Sequence, residues 1–322
     1  MLPRLLTSKA LALAAMLLLG SGCKGSKAEE PRTPLSQDAG RPVAGAPDAA
    51  IEAWETPSFD NRLIELAGEL DIYNRYSSAV VVSVKFSETE RGRCSGAIVG
   101  RRFVLTAGHC VCRRRAAGAG KTAIMDAAEC ARVATIETVL YMPTEGITDA
   151  AALSRGVHDG EVQVHPEFEL RFDEQGQVAS SHADLAFVRL GRPLTMEFRP
   201  LPLDGEAIQL GEAITVVGYG YDEVVDAYGT DRRFLRNTVA RVLDAHGERV
   251  LVESPGRSLY RSDSGGPCVR ESAKGLSLVG ISSRNLGEGS TFTSLRPYQD
   301  WLRARIQEWD AAAARSDEPR PR

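Results

Sequence analysis

The 322-residue chain has almost no excess charge: 39 basic residues stand against 43 acidic ones, a formal net charge of −4. It has no basic stripe and no acidic block, which excludes nucleic acid and polycations as obvious partners. Lysine is scarce, and nearly all the basic residues are arginine. Long apolar runs are missing too. The most apolar stretch, residues 10–19, is about half of the ~20 residues that a bilayer-spanning helix requires. No internal repeat and no metal-ligand spacing is present, and histidine is limited to five residues.

The short apolar stretch has the form of an export signal. Arg4 and Lys9 lead into it and Gly20-Ser21-Gly22-Cys23 follows, small residues that resemble a bacterial lipobox, although Gly20 stands where leucine is commonest. On that reading residues 1–22 are a lipoprotein signal, Cys23 is lipidated, and the protein is anchored to a membrane of the cell envelope. An ordinary cleaved signal would instead make it secreted or periplasmic, and an uncleaved anchor is the third reading. All three export the chain. Residues 23–57 are rich in Ala, Pro, Gly, Asp and Glu, too poor in large apolar groups to bury a core, and read as a flexible tether.

From residue 79 the character changes. Residues 80–84, 97–106, 135–141, 185–190, 214–217, 238–243, 250–253 and 277–282 are short, β-branched and separated by Gly, Pro and Asp breaks. Such spacing predicts an all-β barrel or sandwich. Residues 297–309, with Tyr298, Trp301, Leu302 and Ile306 near a 3.6-residue period, predict a helix. Residues 58–310 form one domain on this reading, and 311–322 a disordered tail.

Three segments carry chemistry. Ser262-Asp263-Ser264-Gly265-Gly266-Pro267 places a serine between an acid and two glycines, which alone would suit any glycine-rich surface turn. Leu105-Thr106-Ala107-Gly108-His109-Cys110 ends an apolar run. His182-Ala183-Asp184 feeds directly into the strand-like residues 185–190. The order along the chain is His, Asp, Ser, one of the known arrangements of a serine-hydrolase triad.

With these segments the chain resembles the chymotrypsin/trypsin family of serine peptidases. TAGHC is similar to the family's TAAHC, ADLAFVRL to its DIALL-type strand and SDSGGP to its GDSGGP. Val164-His165-Pro166, Val217-Gly218-Tyr219-Gly220 and the C-terminal helix agree, over roughly residues 70 to 310. The resemblance implies two antiparallel six-stranded β-barrels with a C-terminal helix. His109 and Asp184 would come from the first barrel and Ser264 from the second, with the active site between them. It also implies a monomer that hydrolyses peptide bonds in protein or peptide substrates without cofactor or metal.

The same resemblance implies a Cys94–Cys110 disulfide around the histidine. Cys112 and Cys130 flank the insert 113–128 and could staple it, and Cys268 is left as a buried free thiol. The backbone N–H groups of Ser262 and Ser264 would form the oxyanion hole. Ser262 replaces the family's glycine, and its Cβ restricts the backbone that aims that N–H. Ser283 falls where the family has a serine bonded to the triad aspartate. Ser258 at the pocket base carries no charge for Arg or Lys, so the pocket favours apolar residues, or acidic ones if Arg284 at its edge attracts them. The run that supplies a new N-terminus to the acid before the nucleophile, here Asp263, is absent. Either a cut near residues 62–72 frees one, or Asp263 is satisfied internally. A trypsin-like pseudoenzyme that binds partners is the alternative function. An esterase is disfavoured because the G-x-S-x-G elbow is missing.

Overall fold

In the computed structural model the described residues are 68–117, 122–141, 152–222, 227–228, 231–244, 247–253, 263–283 and 289–316. The signal, the tether with Cys23, and Ser258, Ser262 and Arg284 lie outside them.

The first barrel consists of β1 (Ala79–Lys85), β2 (Arg91–Gly100), β3 (Phe103–Thr106), β4 (Val133–Tyr141), β5 (Ala152–Val164) and β6 (Ala186–Leu190). Around the ring the order is β6-β3-β2-β1-β4-β5, every pair antiparallel, with β5 closing onto β6. The second barrel consists of β7 (Ala213–Gly218), β8 (Arg233–Val242), β9 (Arg249–Glu253), β10 (Pro267–Ser272), β11 (Gly275–Ser282) and β12 (Ser290–Ser294). Its order is β8-β7-β10-β11-β12-β9, and β9 pairs back onto β8. Closure leaves neither sheet a long free edge. A two-residue strand, Glu69–Leu70, adds to β8 at Arg233 and Phe234.

Burial explains the composition of the strands. In β1 all positions except Ser83 and Lys85 are buried, because both faces of the strand are covered. One large core runs through the first barrel and on between the barrels, through Val217, Tyr219, Val269, Ile281 and Leu302. A smaller one, with Ile214, Val216, Val250, Cys268 and Phe292, belongs to the second barrel.

The structure corrects two sequence readings and adds two features that the sequence does not signal. Residues 97–106 are two strands, because the chain turns at Arg101 and Arg102 and doubles back as β3. The longest strand, β5, is not signalled by its residues, since it is polar and carries two glycines. The insert after Cys112 is stapled by Cys112–Cys130 and also carries β-structure. Its strands Arg115–Ala116 and Ala123–Asp126 join Glu169–Phe172 and Val178–His182 in a four-stranded sheet. Finally, α1 (Gln299–Ser316) follows a single 3-10 turn, Arg296–Tyr298, and continues well beyond Trp309. Residues 311–314 are all alanine, the strongest helix former, so the start of the expected tail is helical.

Helix α1 leaves the second barrel and docks on the first. Leu302 is fully buried, Trp301 lies 5.1 Å from Phe187, and Trp309 lies 5.4 Å from Phe103 and 5.5 Å from Phe187, centroid to centroid. Truncating a side chain as buried as Leu302 to alanine costs about 2–5 kcal/mol.

Candidate active site

Strand pairing brings the first two site residues together. β3 and β6 are antiparallel with Thr106 opposite Ala186, so the residues just after β3 and just before β6 share one end of the barrel. His109 stands there in the 3-10 turn Gly108–Cys110, and Asp184 two residues before β6. The Asp184 carboxylate grips the histidine twice. Its Oδ2 is 2.7 Å from His109 Nδ1, and its Oδ1 accepts the His109 backbone N–H at 2.9 Å. The Ser283 hydroxyl, from the segment after β11, donates to the same Oδ2 at 2.7 Å.

Asp184 is fully buried. Burial alone would raise its pKa, but the His109 charge and the hydrogen bonds from His109 and Ser283 outweigh it and hold the carboxyl below its usual range. An ionised carboxylate only accepts, so His109 Nδ1 carries a proton and Nε2 is the basic nitrogen.

Ser264 is half-buried on a tight turn between the barrels. Gly265 has φ +83°, and a Cβ there would lie 2.2 Å from Thr106 Oγ1 and 2.3 Å from the Ser95 carbonyl, so only glycine fits. The turn is bonded on both sides. The Ser264 carbonyl accepts the Ser95 N–H at 2.9 Å, Gly265 N–H donates to the Ser282 carbonyl at 2.7 Å, and Gly266 N–H to the Asp263 carbonyl at 2.8 Å. The Ser264 turn therefore rests on Thr106 and Ala107, immediately before the histidine turn, while Ser283, just after β11, reaches Asp184. Asp263 is fully buried and accepts the Gly220 N–H at 3.2 Å, an internal contact of the kind expected if no new terminus serves it.

Cys94 is bonded to Cys110 and Cys112 to Cys130, while Cys268 is a buried free thiol. Cys94, His109 and Cys110 bring ligand-type atoms within 4.8 Å of one another, but the two sulfurs are bonded to each other and offer no thiolate to a metal. His165 packs between Tyr298 and Trp301, at 5.0 and 4.5 Å. His182 meets Glu248 at 2.9 Å. Glu248 is a site neighbour that the sequence does not flag: Gly247-Glu248-Arg249 resembles any turn entering a strand, and its contact with Ala183 spans the two barrels.

Residues 71–302 match the family described as Trypsin. Phenoloxidase-activating factor 1 of Holotrichia diomphalia is 26% identical over 245 residues, covering 69% of this chain and 64% of the relative. Vitamin K-dependent protein C of Oryctolagus cuniculus is 25% identical over 180 residues, covering 47% and 38%. The chain thus spans less than two thirds of the length of either relative. Among solved structures, an inactivated protease paralogue of the scabies mite covers 75% of this chain and 99% of its own, with 21% identity and a TM-score of 0.49. The family match and the curated relatives support a peptidase function. Its two barrels, its C-terminal helix and the match over most of its length place this chain in the trypsin family.

Proposed function

We propose that the protein is an exported serine endopeptidase acting through an acyl-enzyme intermediate. The observation that carries this reading is the doubly held His109–Asp184 pair beside the Ser264 turn. Ser264 Oγ attacks the scissile carbonyl while His109 Nε2 takes its proton. Asp184 keeps the imidazole in the right tautomer and stabilises the imidazolium, and the same proton then goes to the leaving amine. The N–H groups of Ser264 and Ser262 receive the oxyanion. With Ser258 at the pocket base and Ser283 and Arg284 at its edge, cleavage follows apolar residues rather than Arg or Lys. The protein works as a monomer on peptide or protein substrates, tethered to a membrane by lipid on Cys23.

A serine-directed fluorophosphonate tests the core of this reading. An adduct mapped to Ser264 supports it. Failure of the intact chain to react gives the place to the alternative, a trypsin-like binding module. A peptide-library profile dominated by Arg and Lys would remove Ser258 from the pocket base. A mature N-terminus other than acylated Cys23 would remove the lipid anchor. One oxyanion donor is worth ~10²–10³ in rate, so Ser262→Gly raises kcat if the Ser262 Cβ misaims its N–H, and equal rates overturn that point.

A further inference from the structure

The backbone just before Asp184 is strained. Ala183 has φ +48°, a left-handed conformation that residues with a Cβ rarely adopt, and it is fully buried. Leu185 N–H bonds back to the Ala183 carbonyl at 2.7 Å, so Asp184 occupies the middle of a three-residue turn. Such a conformation persists only where its surroundings fix it.

The fixing group comes from the other barrel. Glu248, at the head of β9, accepts the Ala183 N–H on Oε1 at 2.5 Å, and its Oε2 lies 2.9 Å from His182 Nδ1. The Tyr298 hydroxyl oxygen is a second acceptor for the Ala183 N–H, at 3.0 Å. Burial and a hydrogen bond to Glu248 push the Tyr298 phenol well above its usual pKa, so its O–H donates to the carboxylate. Glu248 is itself held at both ends. Its N–H donates to Asp244 Oδ1 at 2.9 Å, and its carbonyl accepts the Ser294 N–H at 2.6 Å.

A buried carboxylate is costly unless it is well hydrogen-bonded. Here the donors facing Glu248 come from residues 182 and 183 of the Asp184 turn and from the tyrosine that braces it. The charged and titratable groups around this cluster are His182, Glu167 (3.6 Å from His182 Nε2), His165, Tyr298 and Asp244.

We propose that Glu248 is a positioning residue: with Tyr298 it holds Ala183 in its left-handed conformation and thereby sets the direction in which Asp184 presents its carboxylate to His109. The inference rests on the reading of Asp184 as the triad acid. Asp184 has no freedom to re-aim while Ala183 N–H is bonded across the barrels. Without the carboxylate the turn can relax, and the grip on His109 Nδ1 loosens.

The test is Glu248→Gln in the full chain, which keeps shape and loses charge, with Tyr298→Phe as a milder second variant. The first readout needs no substrate: the far-downfield proton resonance of the His109 Nδ1–H···Asp184 hydrogen bond. It is expected to weaken or vanish in Glu248→Gln and to weaken less in Tyr298→Phe. The second is the pH profile of kcat/KM on a peptide ester. A misplacement of this kind costs up to about 10²-fold in kcat with KM unchanged, and the acid limb moves to lower pH because the imidazolium is less well stabilised. A folded Glu248→Gln with the wild-type resonance and profile overturns the proposal. If Glu248→Gln does not fold, a Tyr298→Phe protein with both readouts unchanged overturns it equally. If the wild type fails to label with fluorophosphonate while its resonance still depends on Glu248, the peptidase reading falls and the positioning role stands.

Discussion

Both disulfides lie in the first barrel's half of the chain, around His109, whereas the described residues of the second barrel contain no disulfide and one free thiol, Cys268. The second barrel is pinned by charge instead. Arg232, at the entry to β8, is fully buried against Asp71, and its guanidinium also donates to the Tyr219 hydroxyl, Asn74 and the Val139 carbonyl and lies over the Tyr141 ring. Arg270 on β10 pairs with Asp204 at 2.7 Å and with Glu212. Its neighbour Glu271 accepts from Thr215 at 2.9 Å and also pairs with Arg75. The partners Asp71, Arg75, Asp204 and Glu212 lie in the segments that enter and link the barrels. The half that holds the His109–Asp184 pair is thus stapled covalently, while the half that carries the Ser264 turn is strapped by ion pairs, one of them wholly buried.

Four measurements would break or sharpen this contrast. The largest effect belongs to the chemistry that the halves share. Ser264→Ala should lower turnover by about 10⁶ and Asp184→Asn by about 10⁴, on the scale of comparable triads. Single-turnover rates on one peptide ester check this, and equal losses would mean that the nucleophile and its supporting acid do not divide the work as proposed. Next comes the buried strap. Arg232→Met strands the Asp71 carboxylate in the interior, which costs about 3–5 kcal/mol, read from denaturant midpoints. A loss below that range would show that water reaches the pair.

The Cys112–Cys130 staple closes a loop with a sequence separation of 18, and replacing both cysteines by serine should cost about 3 kcal/mol. If that double variant loses more than Arg232→Met, the disulfide is the stronger restraint and the contrast hardens. The smallest effect is a pH slope. Burial lowers the pKa of His165, and the Glu167 N–H donates to its Nδ1 at 3.2 Å, a bond that protonation would break. As pH falls through ~6.5 the unfolded chain takes up this proton before the folded one does, so stability present at neutral pH is lost on acidification. Stability should therefore fall between pH 7.5 and 5, and that part of the slope should vanish in His165→Phe.

How much of this was legible in the sequence depends on whether a feature is local. His109, Asp184 and Ser264 sit in short motifs whose neighbours do visible work: Gly265 for the positive φ, Cys110 for the disulfide, and the apolar residues 185–190 for the strand that places Asp184. β5 was illegible because its alternation is polar and broken by glycine. Gly160 is there because a Cβ would lie 2.8 Å from the Arg189 carbonyl on β6, a constraint visible only once the barrel is closed. β12 was missed for a related reason: Ser-Thr-Phe-Thr-Ser is buried at every position but offers no apolar pattern. Glu248 was invisible because its partners, Ala183 and Tyr298, come from distant parts of the chain.

Cys268 turns the second barrel into its own recorder. Its sulfur is sealed in the core opposite Val216, and burial raises its thiol pKa well above the ordinary value, so in the closed barrel it is neither reachable nor nucleophilic. It stands on the strand that the Ser264 turn feeds, between β7 and β11, so a parting of β10 from either neighbour opens the core around it. In a Cys23→Ser background, the rate at which a thiol reagent captures Cys268 counts how often the strand after Ser264 comes loose, with no need to watch any reaction at all.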